Sequence, residues 1–235
     1  MYNTTNGVIS NNFMHPLTGA LVWLSNASYN VIRDNNASRG FFYGFLLDGT
    51  ANPTKMNTFS DNLITHNLEA GIQFRGYSEL NTISDNTIFN NTLGIELGAF
   101  SNNNTITGNQ IGNSYSIGLF INTVSQFNEI YENCFITNNV DANDNGFINF
   151  WDNGVKGNYW DNYTGLDAGN DGIGDIPYNI TGIAGSQDNF PLMSCPTPTP
   201  PPSGIPGYDL FLVLFAGVSS IIGIIFISTK KKIKY

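Results

Sequence analysis

The chain has 235 residues, a net charge of −9, 11 % charged residues and 25 glycines. A surface this acidic repels phosphate backbones, which argues against nucleic acid as a partner. Two cysteines (Cys134 and Cys195) and two histidines (His15 and His66) leave little for zinc-type sites, and spacing alone does not say whether the cysteines pair.

From the N-terminus onward the chain repeats itself. The pattern Asn-x-apolar-x-x-Asn starts at Asn6, Asn30, Asn57, Asn81, Asn104 and Asn128, in steps of 24, 27, 24, 23 and 24 residues. A Gly-apolar-x-apolar block follows in the same register at Gly44, Gly71, Gly94 and Gly118, and a third short apolar segment fits at Leu63-Ile64, Thr87-Ile88, Gln110-Ile111 and Cys134-Phe135. Each period therefore predicts three short strands with two-residue alternation, separated by Asn, Gly or Ser corners. One such coil cannot bury its inward side chains or pair its backbone alone, whereas stacked coils do both. The sequence thus predicts an all-β, right-handed parallel β-helix of about six coils over residues 1–149. Ile32, Phe59, Ile83, Ile106 and Ile130 should stack as one inward column, and Asn30, Asn57, Asn81, Asn104 and Asn128 as an amide ladder. The 27-residue step carries its extra residues around Asp48–Pro53, and insertions in solenoids tend to face the working surface. No basic-plus-apolar signal segment precedes the first coil, so a truncated or mis-started N-terminus is expected.

Residues 150–194 break the repeat with Phe150-Trp151-Asp152 and Gly157-Asn158-Tyr159-Trp160 and are expected to cap the last coil. Here the residues carry a resemblance. The repeats are similar to those of NosD-type and carbohydrate-binding/sugar-hydrolase β-helix proteins. Gly157–Trp160, Asp171–Asp175, Pro177-Tyr178 and Asp188–Leu192 resemble an end region common in prokaryotic, especially archaeal, surface members. The resemblance covers residues 6–193 and implies the fold; the families it joins mix enzymes, binders and proteins of unknown role. Next, residues 195–207 read as an extended, Pro-rich spacer. Leu210–Ile227 is an apolar run just long enough to span a bilayer, within an expected transmembrane helix at 208–229. Lys230, Lys231, Lys232 and Lys234 mark a cytoplasmic tail at 230–235, which places the β-helix at the cell surface as part of a single-pass membrane protein. Seven Asn-x-Ser/Thr sites agree only weakly, since so much Asn yields them by chance.

Three residue groups could carry chemistry. Asp167, Asn170, Asp171 and Asp175 lie in an Asp/Gly loop whose carboxylate spacing suits a structural calcium, although the loop departs from the EF-hand pattern at Gly169 and Tyr178. A plain acidic turn is the competing reading. Asp34, Asp61, Asp85 and Glu132 share one repeat position, interrupted by Gly108. They are the catalytic candidates if the chain hydrolyses glycosides, which takes two carboxylates at a defined separation; the same position is also where a turn favours Asp and Gly. Gln73, Arg75, Glu96 and Phe120 should alternate outward on another face, where they could contact sugar. The NosD resemblance implies copper, which prefers His, Met and Cys. Met14, His15, His66 and Cys134 are far apart in the repeat, so copper handling is disfavoured. The expected function is non-catalytic display of an acidic, Asn-rich face to a polysaccharide or cell-envelope glycan. The competing class is a polysaccharide hydrolase, lyase or epimerase.

Overall fold

The computed structural model describes residues 1–14 and 19–196. The expected transmembrane helix, the basic tail and all of the spacer but Cys195-Pro196 lie outside the described residues, as does His15. Among the described residues every regular element is a strand, and no helix is long and apolar enough to cross a membrane.

Strands repeat in threes and pair parallel with their counterparts one coil on. They build a first sheet of six strands, a second of seven and a third of six, a right-handed parallel β-helix of about six coils. The first sheet runs from Val8–Ser10 to Glu129–Tyr131, the second from Phe13–Met14 to Tyr159–Trp160, and the third from Val22–Ser25 to Val140–Asp144. Register confirms the expected apolar column, Ile32, Phe59, Ile83, Ile106 and Ile130 being successive partners, and extends it back to Ile9. From Ile32 onward these side chains are fully buried. Inward positions of the other sheets fill the rest of the core, among them Ile64, Ile88 and Ile111 on the second and Phe45, Ile72, Ile95 and Leu119 on the third.

Asparagine holds the corners. Asn30, Asn57, Asn81, Asn104 and Asn128 form the expected ladder, each side-chain amide donating to the next carboxamide oxygen at 2.9–3.1 Å and the series ending on Asn149. A second ladder, which the repeat pattern contained but which was not assigned, runs Asn12, Asn35, Asn62, Asn86, Asn109, Asn133 and Asn158. A shorter third one joins Asn67 to Asn91. The residue before every ladder asparagine except Asn158 turns the chain through the left-handed region, as at Met56, Asp61 and His66 with φ of 56°, 56° and 58°. The buried asparagines also take up corner amides and carbonyls that no strand partner reaches, and an unpaired buried group costs about 1–3 kcal/mol.

The Gly-apolar-x-apolar block has a steric cause. A Cβ on Gly71 would lie 2.7 Å from the carbonyl oxygen of Gly94, and one on Gly94 2.3 Å from that of Gly118. Adjacent coils approach too closely there for any side chain.

The extra residues of the long coil widen the strand Phe45–Lys55, which shifts register between Gly49 and Thr54 against Ala70–Glu79. At the C-terminal end, Trp160 stacks on Phe135 at 4.4 Å and Tyr178 stacks on Trp160 at 4.3 Å. Trp151 and Trp160 are buried, and their indole N–H groups donate to Asp144 and Asp188. Cys134 and Cys195 form a disulfide that ties the end of the described chain back to the last strands of the second sheet.

Candidate functional site

The third sheet carries a groove of about 630 Å³ on its outer face. That size falls in the range of ligand clefts, roughly 300–1,000 Å³. Outward positions on successive coils put Trp23, Leu46, Gln73, Glu96, Phe120 and Asn143 in one register column. Gln73, Arg75 and Glu96 line the groove together, as their shared face predicts. Phe120 lies one coil further on, paired with Glu96 but outside the lining.

Sequence reasoning missed Tyr43, Glu69 and Phe100 in the lining. Tyr43 stands one residue and Glu69 two residues before the glycine column, at corners where the repeat pattern varies from coil to coil. An ionisable or phenolic residue within two positions of the repeated glycine was the available signal. The Arg75 guanidinium donates to the Tyr43 hydroxyl at 3.2 Å and sits 5.7 Å from the centre of that ring. Burial pushes the Tyr43 phenol up, and Glu69 adds to this while Arg75 opposes it. Burial also raises the Glu96 carboxyl; a hydrogen bond from Gln73 and the charge of Arg75 oppose the rise, and Glu69 adds slightly to it. Phe100 forms one wall and stacks with Tyr77 from the adjacent coil at 5.1 Å, giving a flat, partly exposed aromatic platform. Thr50, from the inserted segment, contributes to the rim, so the expected loop does border the groove. Asp48 is the register partner of Arg75, but its carboxylate accepts the Thr50 amide and hydroxyl at 3.1 and 2.6 Å. It fixes the loop and leaves Arg75 to Tyr43.

The carboxylate column lies elsewhere, at the corner between the first and second sheets. Asp34, Asp61, Asp85 and Glu132 all occupy the left-handed region at φ 55–56°, with Gly108 at 68° in the same line. Turn geometry accounts for their residue types. Asp34 pairs with Arg33 at 2.6 Å and Glu132 with Lys156 at 2.8 Å. Burial raises the Asp85 carboxyl, Asp61 one coil away adds to this, and a hydrogen bond from Ser84 opposes it.

The Asp/Gly loop is turned in upon itself, and the calcium expectation is not supported. Asp167 accepts the amides of Asp171 and Gly172 at 3.2 and 2.9 Å, Asp171 that of Ile173 at 3.0 Å, and Asp175 that of Ala168 at 2.8 Å. Asn170 serves as a left-handed turn residue, φ 50°. The carboxylates close the turn instead of converging. Among the described residues no cluster of three or more His, Cys, Asp or Glu is placed to hold a metal ion.

Comparison with known proteins decides the family. The family described as "Periplasmic copper-binding protein (NosD)" matches residues 1–165. The chain belongs to the NosD family. A probable ABC transporter binding protein NosD from Stutzerimonas stutzeri is 31 % identical over 102 residues, which cover 43 % of this chain and 18 % of the relative. The NosD-family chain thus spans about a fifth of that protein's length. Among solved structures, a double mutant of the periplasmic alginate epimerase AlgG superposes with a TM-score of 0.53 at 21 % identity, covering 63 % of this chain and 34 % of that one. A single mutant of the same epimerase gives 0.52 at 20 % identity over the same shares. At that identity the likeness is one of fold.

The family description raises copper, and the donors do not fit it. The Cys134 sulfur is spent in the disulfide. His66 sits on an exposed corner with Nδ1 hydrogen-bonded to the Thr65 hydroxyl at 2.7 Å, and Met14 belongs to the first coil. Copper binding needs several soft or imidazole donors at one point, and among the described residues these do not meet.

Proposed function

We propose that this NosD-family chain is a non-catalytic glycan-binding β-helix held outside the cytoplasm. The observation that carries the reading is the groove in which Arg75, Gln73 and Glu96 converge beside Tyr43, Glu69 and the Tyr77–Phe100 platform. Sugars present hydroxyls that both donate and accept, together with apolar ring faces. Carboxylate and amide acceptors, a fixed guanidinium donor and a flat aromatic wall match both features. The disulfide supports an oxidising compartment, and the family's periplasmic description agrees with it. In this reading residues 150–194 cap the solenoid, and the apolar run 210–227 anchors it to a membrane.

The test is calorimetric titration of the full chain, extracted from membranes in detergent, with a panel of polysaccharides. At least one should bind, and Arg75→Ala and Glu96→Gln should each weaken it about tenfold or more, as loss of a charged hydrogen-bonding partner does. Binding that both variants leave unchanged would contradict the groove, and release of the chain by an alkaline carbonate wash would contradict the anchor.

A catalytic reading has one observation in its favour. Glu69 and Glu96 share the groove, and the raised pKa of Glu96 suits a general acid in glycoside cleavage. Depolymerisation by the native chain that Glu96→Gln abolishes would establish it; binding without turnover supports the binder.

A further inference from the structure

A second groove of about 420 Å³ adjoins the first. Arg39, Phe41, His66, Leu68 and Tyr115 line it at the corner between the second and third sheets, and Thr92 lines both grooves. Leu68 and Glu69 are neighbours in the chain, and one falls in each groove. The coil therefore runs from the second groove directly into Ala70–Glu79, the strand that carries Gln73 and Arg75. From Ala70 to Tyr77 that strand spans at most about 23 Å at about 3.3 Å per residue. Aromatic side chains stand at both ends, Phe41 and Tyr115 at one and the stacked Tyr77–Phe100 pair at the other. Tyr115 is 70 % exposed and Leu68 61 %, so neither is needed for the core.

Charge selects the occupant. Between them the grooves hold two carboxylates, Glu69 and Glu96, and two guanidiniums, Arg39 and Arg75. The local charges balance, on a chain whose net charge is −9. A polyanion would approach against that field and meet an Arg75 already engaged by Tyr43 and faced by Glu96. A chain of neutral hydroxyls meets acceptors, donors and flat apolar faces at no such cost.

We infer that the two grooves are consecutive subsites of one track for a neutral glycan chain, lying along the coil and across the solenoid axis. The inference rests on the glycan-binding reading and adds the length and charge of the ligand. Titration of the full chain with cello-, manno- and xylo-oligosaccharides, each as disaccharide and hexasaccharide, tests it alongside oligouronates of equal length. In the best series the hexasaccharide should bind about tenfold tighter than the disaccharide. Tyr115→Ala should remove that advantage while leaving disaccharide affinity unchanged, and Glu96→Gln should weaken both. Equal affinity at both lengths, an unaltered hexasaccharide affinity in Tyr115→Ala, or tighter binding of the oligouronate would overturn the track and leave the first groove standing. Failure of every oligosaccharide and polysaccharide to bind would overturn both readings.

Discussion

At the residue scale, asparagine and aspartate do most of the shaping. A ladder asparagine uses every polar atom it has. Asn86 donates to the Phe59 and Ser84 carbonyls and to Asn109, while its own oxygen accepts the backbone and side-chain amides of Asn62. The first ladder was legible because it opens the repeat motif. The second was written in the same motif, at its closing asparagine, but that position also reads as an ordinary turn residue. The third is obscured because Gly40 and Ser114 stand where it would continue on neighbouring coils. Burial of Asp188 has a testable consequence. Burial raises its carboxyl to about 6; the Asn158 amide, the Trp160 indole and the Phe190 amide hold it down, and Asp152 pushes it up slightly. Its ordinary value is 3.8, so between roughly pH 4 and 6 the folded chain holds a proton that the unfolded chain has released. By linkage, stability should rise as pH falls from 7 through 6 and stop gaining from this group below about 4. Asp141, also raised to about 6 mainly by burial, acts in the same direction. Thermal melts from pH 7.5 to 4.5 should show the melting temperature climbing, with a shallower climb in Asp188→Asn. A climb of equal slope in that variant would rule Asp188 out as a source.

At the element scale, period-two alternation told which side chains point outward, so Gln73, Arg75 and Glu96 could be grouped from sequence. It could not tell where a groove begins and ends. Phe120 obeys the same alternation and lies one coil beyond the lining, while Tyr43 and Glu69 enter from corners that do not repeat. The loop carboxylates Asp167, Asp171 and Asp175 have spacing that suits either a cation or a self-closed turn, and only the hydrogen-bond directions separate the two. The Cys134–Cys195 pairing was likewise beyond spacing arguments, since it joins a strand of the repeat to the residue where the Pro-rich spacer begins. Closing a loop with a sequence separation of 61 should stabilise the fold by up to about 4 kcal/mol on the chain-entropy account. Cys134→Ser with Cys195→Ser is therefore expected to lower the denaturation midpoint substantially while sparing glycan affinity in the groove. An unchanged midpoint would show that the stacked Trp160 and Tyr178 hold the terminal segment without it.

At the scale of the whole molecule, a solenoid makes one surface out of many equivalent coils. On the proposed reading, function comes from where equivalence is broken, and here that is the long coil and the two coils that follow it. Thr50 from the insertion, Tyr43 and Glu69 from the corners and the Tyr77–Phe100 pair all fall on those coils. The carboxylate column repeats instead along most of the stack, as expected of a corner that serves the backbone. The measurement that separates these surfaces most directly is hydroxyl-radical footprinting of the full chain with and without a bound glycan. Saturating ligand should protect Tyr77 and Phe100, while exposed aromatics on distant coils, Phe147 and Phe150, oxidise as before. Unprotected Tyr77 and Phe100 under saturating ligand, with protection appearing at those distant rings, would contradict the account.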